Sequence, residues 1–277
     1  MKNKLVIFRE ICGLYETILK NESINEAIIN HSLLILDEFR SKKLFYKYIF
    51  KNNRFLAVSI AACVFYNQND SYFSDVKSEC LKTGMISENT ITSLLSMLKI
   101  TGRITIDKSR LDKRKIKFSF TEKGELDTLS LINSVMPALN ILFPDIVNSP
   151  SLSKNELSLF FKKYYDIFHA GLYLVDLTKG AEIFITKDSG HMIMVSLFML
   201  CQNNEIESKK SKILYISKNC GVSRSHLRNI LIEANKLNLL VFDNKSGHIQ
   251  ILDTFNSMFR SYMAYYFSFV IYGLKVS

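Results

Sequence analysis

The chain has 277 residues, 48% of them hydrophobic, and a formal charge of +10 at neutral pH. That length and apolar content exclude a disordered chain and can fill one large domain or two ordinary ones, while the positive surplus favours a polyanionic partner, nucleic acid or an anionic membrane surface. Cys12, Cys63, Cys80, Cys201 and Cys220 are odd in number and scattered without a Cys-x-x-Cys pair, which excludes a disulfide framework and a zinc site and fits a reducing cytosol.

Apolar residues recur at helical spacing over residues 4–20 (Leu5, Phe8, Ile11, Cys12, Tyr15) and 23–48 (Ile28, Ser32, Ile35, Phe39), predicting two packing helices. The first run is interrupted by Arg9 and Glu10 and lacks a small-residue cleavage site, so no signal peptide is expected. Residues 55–65 predict an apolar helix closed by Asn67-Gln68-Asn69-Asp70, residues 76–83 a short helix, and Gly84-Met85-Ile86 a turn. Ser87 is placed to cap a further helix with Ile91, Leu94, Leu95 and Leu98 on one face. Ile104-Thr105-Ile106 and the alternating stretch 115–120 predict a hairpin. Its loop crowds Lys108, Arg110, Lys113, Arg114 and Lys115, with Lys117 just beyond, against Asp107 and Asp112, a composition suited to phosphate and minor-groove contact. Helix, turn, helix and hairpin together make a winged helix-turn-helix unit.

Pro137, Pro144 and Pro150 lie near the middle of the chain with Asn148, Ser149 and Ser151, so residues 137–153 are expected to link a first half, 1–136 (winged-helix core about 55–129), to a second, 154–277 (core about 190–254). Ser153-x-x-Glu156 opens the second half as a capping box. Phe160, Phe161, Tyr164, Tyr165 and Phe168 then form an aromatic stripe that is read as core, and residues 181–186 are expected to form a strand.

Residues 213–252 carry the most specific pattern. A short helix can bury Ile213, Ile216 and Cys220; Gly221 supplies the left-handed backbone that ends it; and Ser223 sits where an N-cap oxygen is needed. The next helix sets Leu227, Ile230, Leu231 and Ala234 on one stripe and Arg224, Ser225, Arg228 and Asn229 on the other face. Arginine can pair with guanine and asparagine with adenine in bidentate fashion, so this is the expected base-reading helix. Residues 244–247 turn a short second wing that carries Lys245. Lys212 and Lys218, with Lys209 and Lys210, are expected to add non-specific affinity for DNA. The first reading helix differs: it offers Ser87, Glu88, Asn89, Thr92, Ser93 and Ser96 and no cation on that face. Unequal helices imply unequal half-sites.

A single offset of 136 superimposes the two units: Ser87 falls on Ser223, Ile91 on Leu227, Leu94 on Ile230, Leu95 on Leu231 and Ile104 on Leu240. An internal duplication is expected, and with it a mostly helical α+β fold of tandem winged-helix units related by a pseudo-two-fold within one chain. Residues 261–277 are uncharged over a strongly aromatic run that is too short to span a bilayer, which takes about 20 apolar residues. A buried packing or dimerisation helix is expected there.

Asp112-Lys113-Arg114, followed by Phe120-Thr121-Glu122-Lys123-Gly124, resembles the wing and following helix start of MarR-type transcriptional regulators over residues 55–129. The resemblance implies that Arg114 enters the minor groove and that Asp112 orients it. Phe120 stands where that family commonly has leucine, and the second wing has no Asp-x-Arg. Two units in one chain resemble the fused, two-domain Sar-type branch, in which one polypeptide imitates the dimer. The resulting expectation is a cytoplasmic, nucleoid-associated regulator of transcription that binds double-stranded promoter or operator DNA, as a monomer with an internal pseudo-dimer or as a homodimer, with no cofactor, no metal and no membrane partner. A plasmid-type replication initiator and a winged-helix protein assembly module are the alternatives. His31, His169, His191, His226 and His248 are scattered without ligand-spaced partners, and there is no phosphate-cradling glycine loop, so no enzyme is expected.

Overall fold

A computed structural model describes residues 3–108, 116–145, 151–202 and 212–275, with Lys108 as backbone only. It is mostly helical with two small antiparallel sheets, an α+β fold. The helices that begin it are α1 (Lys4–Lys20), α2 (Ile24–Ser41), α3 (Lys43–Ile49) and α4 (Asn52–Asn67). The one helix expected over 23–48 is therefore two, broken at Lys42, whose backbone (φ −134°, ψ 44°) leaves the helical region. The buried stripe of α1 is Ile7, Ile11, Leu14 and Ile18. Of the stripe expected there, Ile11 is buried while Leu5 and Phe8 stand exposed.

Next come α5 (Phe73–Lys82), α6 (Glu88–Ile100), β1 (Ile104–Lys108) and β2 (Ile116–Phe120). The two strands pair from Ile104↔Phe120 to Lys108↔Ile116. Then α7 (Glu122–Asn133) and α8 (Met136–Leu142) follow. The predicted linker thus starts as a helix, because Pro137 sits in the first turn, where its missing N–H costs nothing, and Met136, Ala138, Leu139 and Leu142 are buried. The second half has α9 (Lys154–His169), α10 (Leu174–Leu177), α11 (Glu182–Ile185) and α12 (Gly190–Gln202), then α13 (Lys212–Cys220), α14 (Arg224–Lys236), β3 (Leu240–Phe242), β4 (Ile249–Ile251) and α15 (Asp253–Leu274). Residues 181–186, read as a strand, are instead the turn of α11. Ala181, Phe184 and Ile185 are buried at i, i+3 and i+4, which a strand would place on opposite faces.

Element order and bounds recur along the chain. Helix α14 begins and ends 136 residues after α6, and each is preceded by a helix and a turn and followed by an antiparallel hairpin. Packing crosses between the halves. Helix α2 lies against α8 and also against α12 of the second half, while α9 lies against α15 and also against α4 of the first. Helices α4 and α12 are apolar nearly all round because both faces are covered this way. The aromatic C-terminal segment is α15, which packs on α1 and α9. Phe255, Phe259, Phe267, Phe269 and Tyr272 are all buried within the chain. Among the described residues no helix is long and apolar enough to cross a membrane.

Candidate nucleic-acid interface

The second unit is held by local chemistry that the sequence dictates. Ile213, Ile216 and Cys220 seat α13 in the core, and Gly221 (φ +66°) turns the chain. Such a backbone is strained for any residue with a Cβ. The Ser223 hydroxyl accepts a hydrogen bond from the His226 N–H at 3.1 Å, capping α14. Leu227, Ile230, Leu231 and Ala234 are all buried, and Ser223, Arg224, Ser225 and Asn229 are exposed.

Arg228 is the exception on that face. It is half-buried, and its Nη1 donates to the Asn244 carbonyl at 2.6 Å and to Asn244 Oδ1 at 2.5 Å. The guanidinium expected to read a base is therefore occupied in fastening the helix to the hairpin turn. The turn is itself ordered by Asp243, whose carboxylate accepts from the Ser246 hydroxyl and from the N–H groups of Lys245 and Ser246. These bonds, the Ser246 hydroxyl first, hold the carboxyl below its ordinary pKa. Lys245 is exposed at the tip, Lys218 is exposed on α13, and Lys212 opens that helix.

The first unit repeats the arrangement. The Ser87 hydroxyl accepts from the Thr90 N–H, and α6 buries Ile91, Leu94, Leu95 and Leu98. Glu88, Asn89, Thr92, Ser93 and Ser96 are exposed. Glu88 pairs with Lys77 at 2.8 Å, so the start of this helix is locally charge-neutral. Arg110, Asp112, Lys113, Arg114 and Lys115 of the first wing lie outside the described residues, as do Lys209, Lys210 and the side chain of Lys108. The segment after the wing has a clear physical basis. Thr121 caps α7 by accepting from the Gly124 N–H, and its own hydroxyl donates to the Gly102 carbonyl at 2.7 Å. A Cβ on Gly124 would stand 2.2 Å from the Arg103 carbonyl oxygen, so only glycine lets α7 dock this closely.

Between α6 and α14 lies a connection that the sequence reading missed. The Tyr48 hydroxyl bonds Ser93 on α6 at 3.3 Å, and the Arg54 guanidinium sits 4.1 Å from the centre of the Tyr48 ring. Arg54 and Lys51 both approach Asp188 Oδ1, at 3.5 and 3.7 Å. The Asp188 carbonyl accepts from His226 Nε2 on α14 at 3.2 Å. Lys43 Nζ donates to the Lys218 carbonyl at the end of α13. The i, i+4, i+8 spacing of Lys43, Lys47 and Lys51 was the available signal, masked by the apolar residues interleaved with it.

Behind these surfaces the first half carries a charged network whose centre, Arg103 and Asp127, is buried. Asp127 pairs with Arg103 at 2.7 Å and with Lys42 at 2.9 Å, and Lys42 also reaches Glu38 at 2.8 Å. Burial alone would raise the Glu38 pKa, but hydrogen bonds from Lys42 and Tyr46 outweigh it and hold the carboxyl low. A cavity of about 90 Å³ lies beside this network, lined by Phe45, Phe55, Phe120, Phe161 and Tyr164. It is smaller than the roughly 150 Å³ void that admits benzene, so Phe161 and Tyr164 serve packing there, whereas Tyr165 and Phe168 line a separate, more polar pocket of about 220 Å³ with Glu79 and His169. Burial pushes the Cys80 and Cys220 thiols up to about 12, which keeps both protonated at neutral pH. Among the described residues no group of three or more His, Cys, Asp or Glu could hold a metal ion.

No protein-family model, curated protein or solved structure matches this chain.

Proposed function

We propose that the chain binds double-stranded DNA through two winged helix-turn-helix units and regulates transcription as a pseudo-dimer in one polypeptide. The observation that carries this is the equivalence of α6 and α14. Each is serine-capped and 13 residues long, and each buries the same four repeat positions against a preceding helix while leaving the opposite face to solvent. The bridge through Tyr48, Arg54 and Asp188 supports it, because it ties both helices to one segment and so limits their relative motion. With Arg228 engaged by the turn, base reading on α14 rests on Arg224, Ser225 and Asn229. The role of the first wing, with Arg114 in the minor groove beside Asp112, belongs to the same proposal and comes from the resemblance to MarR-type regulators.

The test is selection of bound duplexes from fragmented genomic DNA, followed by anisotropy titrations at two salt concentrations with wild type, Arg224→Ala and Asn229→Ala. Discrete promoter sites, with base preference relaxed by about 1–3 kcal/mol at the position each variant reads, support the proposal. Recovery of an array of direct repeats would redirect it to origin binding. Recovery of no discrete sites would overturn it.

A further inference from the structure

Helix α3 occupies the space between the two proposed reading helices. It touches the exposed side of α6 and the turn that leads into α14. Tyr48 reaches Ser93 on the exposed side of α6, and Lys43 and Lys47 pass over the turn before α14, where a Cβ on Gly221 would lie 2.9 Å from Lys43 Cε and 3.6 Å from Lys47 Cδ. The helix therefore borders the exposed face of α6 and the start of α14. Its own outward positions are Lys43, Leu44 and Lys47. Leu44 is 87% exposed, the most exposed large apolar side chain described.

The neighbouring charges are disposed in one direction. Asp37 is paired with Arg40, Glu38 with Lys42, and Asp188 with Lys51 and Arg54. Among the described residues neither Lys43 nor Lys47 has a carboxylate within ion-pair distance. Lys43 gives one of its three ammonium hydrogens to the Lys218 carbonyl and keeps the others available. The segment 40–54 contains Arg40, Lys42, Lys43, Lys47, Lys51 and Arg54 and no acidic residue.

Two helices that read major grooves one helical turn apart on one side of a duplex leave the minor groove facing the protein between them. We propose that α3 is a third DNA contact that lies across this central minor groove, with Lys43 and Lys47 on phosphates at its edges and Leu44 against the sugar and base edges. This rests on the DNA-binding reading above. An apolar side chain flanked by cations is suited to a groove whose edges are charged and whose floor is not. It favours A·T pairs at the centre of the site, because the narrow minor groove of A-tracts concentrates negative potential and has no guanine amino group on its floor.

The experiment uses the full chain and a selected duplex that contains both half-sites, with the central base pairs either A·T or G·C. Wild type, Lys47→Ala, Lys43→Ala/Lys47→Ala and Leu44→Ala are titrated by anisotropy from low to high salt, with circular dichroism as the check on folding. Each lysine removed should flatten the slope of log affinity against log salt by about 0.9 and weaken binding several-fold on both duplexes. Wild type should prefer the A·T centre, and Leu44→Ala should lose much of that preference while keeping its salt slope. Because Leu44 is exposed and the Lys47 side chain makes no hydrogen bond or ion pair among the described residues, the single variants report on DNA even if the double variant is destabilised. If wild type binds the duplex through its half-sites but Lys47→Ala keeps its slope and the central sequence has no effect, this inference fails and the DNA-binding reading stands. Absence of any duplex binding by wild type overturns both.

Discussion

Two buried histidines make the fold sensitive to acid, and the size of the effect follows from their surroundings. His31 on α2 is enclosed, with its Nδ1–H donating to the Ser134 carbonyl at 3.0 Å and its ring against Tyr266 and Phe267. His191 on α12 faces the Tyr262 hydroxyl at 3.1 Å and the rings of Phe50 and Tyr266. Burial lowers His31 to about 4, partly offset by its bond to Ser134, and lowers His191 to about 3, with the nearby His31 adding to the effect. In the unfolded chain both titrate near 6.5. Below that pH the unfolded chain takes up protons that the folded one refuses, so stability is intact above about pH 7 and falls as the pH drops toward 4. Each histidine contributes a slope of about 1.4 kcal/mol per pH unit, so together they remove about 5 kcal/mol between pH 6.5 and 4.5. That is comparable with the whole stability of an ordinary domain, about 5–15 kcal/mol. Urea unfolding followed by circular dichroism at pH 7.5, 6.5, 5.5 and 4.5 measures this slope directly. His31→Asn and His191→Asn should each lower stability at neutral pH and each halve the slope between pH 6 and 5. A wild-type slope below about 1 kcal/mol per unit, or slopes undiminished in both variants, would refute the reasoning.

Three further outcomes are expected. Gly124→Ala drives a methyl group into the Arg103 carbonyl and should cost about 2–3 kcal/mol in denaturant unfolding. Asp127→Ala strips Arg103 and Lys42 of their shared carboxylate and should cost about 3–5 kcal/mol, with recovery on further replacement of Arg103 by Met. Arg228→Ala releases the Asn244 turn from α14; amide exchange at residues 243–247 should accelerate at least tenfold while that in the middle of α14 stays slow.

What the sequence disclosed, and what it hid, follow the range of the forces involved. Ser87, Ser223 and Thr121 cap their helices through bonds to residues three positions on, so local spacing was enough to place α6 and α14. The four buried positions of each were legible for the same reason. The stripe of α1 was not, because apolar residues at 5, 6, 7 and 8 offer two helical faces and only the docking of α15 selects Ile7 over Leu5 and Phe8. Residues 181–186 have the β-branched and aromatic composition of a strand after the turn at Lys179-Gly180, but burial at i, i+3 and i+4 decides for a helical turn. At the candidate interface, α14 offered its exposed residues to inspection, whereas the engagement of Arg228 depends on a hairpin turn 16 residues away. The bridge through Tyr48 and Asp188 depends on packing between halves more than a hundred residues apart, and its one local mark, the spacing of Lys43, Lys47 and Lys51, does not name a partner.

The exchange of α2 and α9 between the halves also sets a schedule for biosynthesis. The apolar face of α4 is complete at residue 67 but is covered only when α9 ends at residue 169. At about 5–20 residues per second that is a wait of roughly 5–20 s with the face open on the ribosome. Helix α2 waits longer still for α12, whose last residue is 202. The nascent first half is therefore expected to need shielding, because a chain released early, or cut between the halves, presents apolar helix faces that the finished protein covers. Neither half can bury its helices ahead of the other, so the two repeated units enter the cell only as a pair.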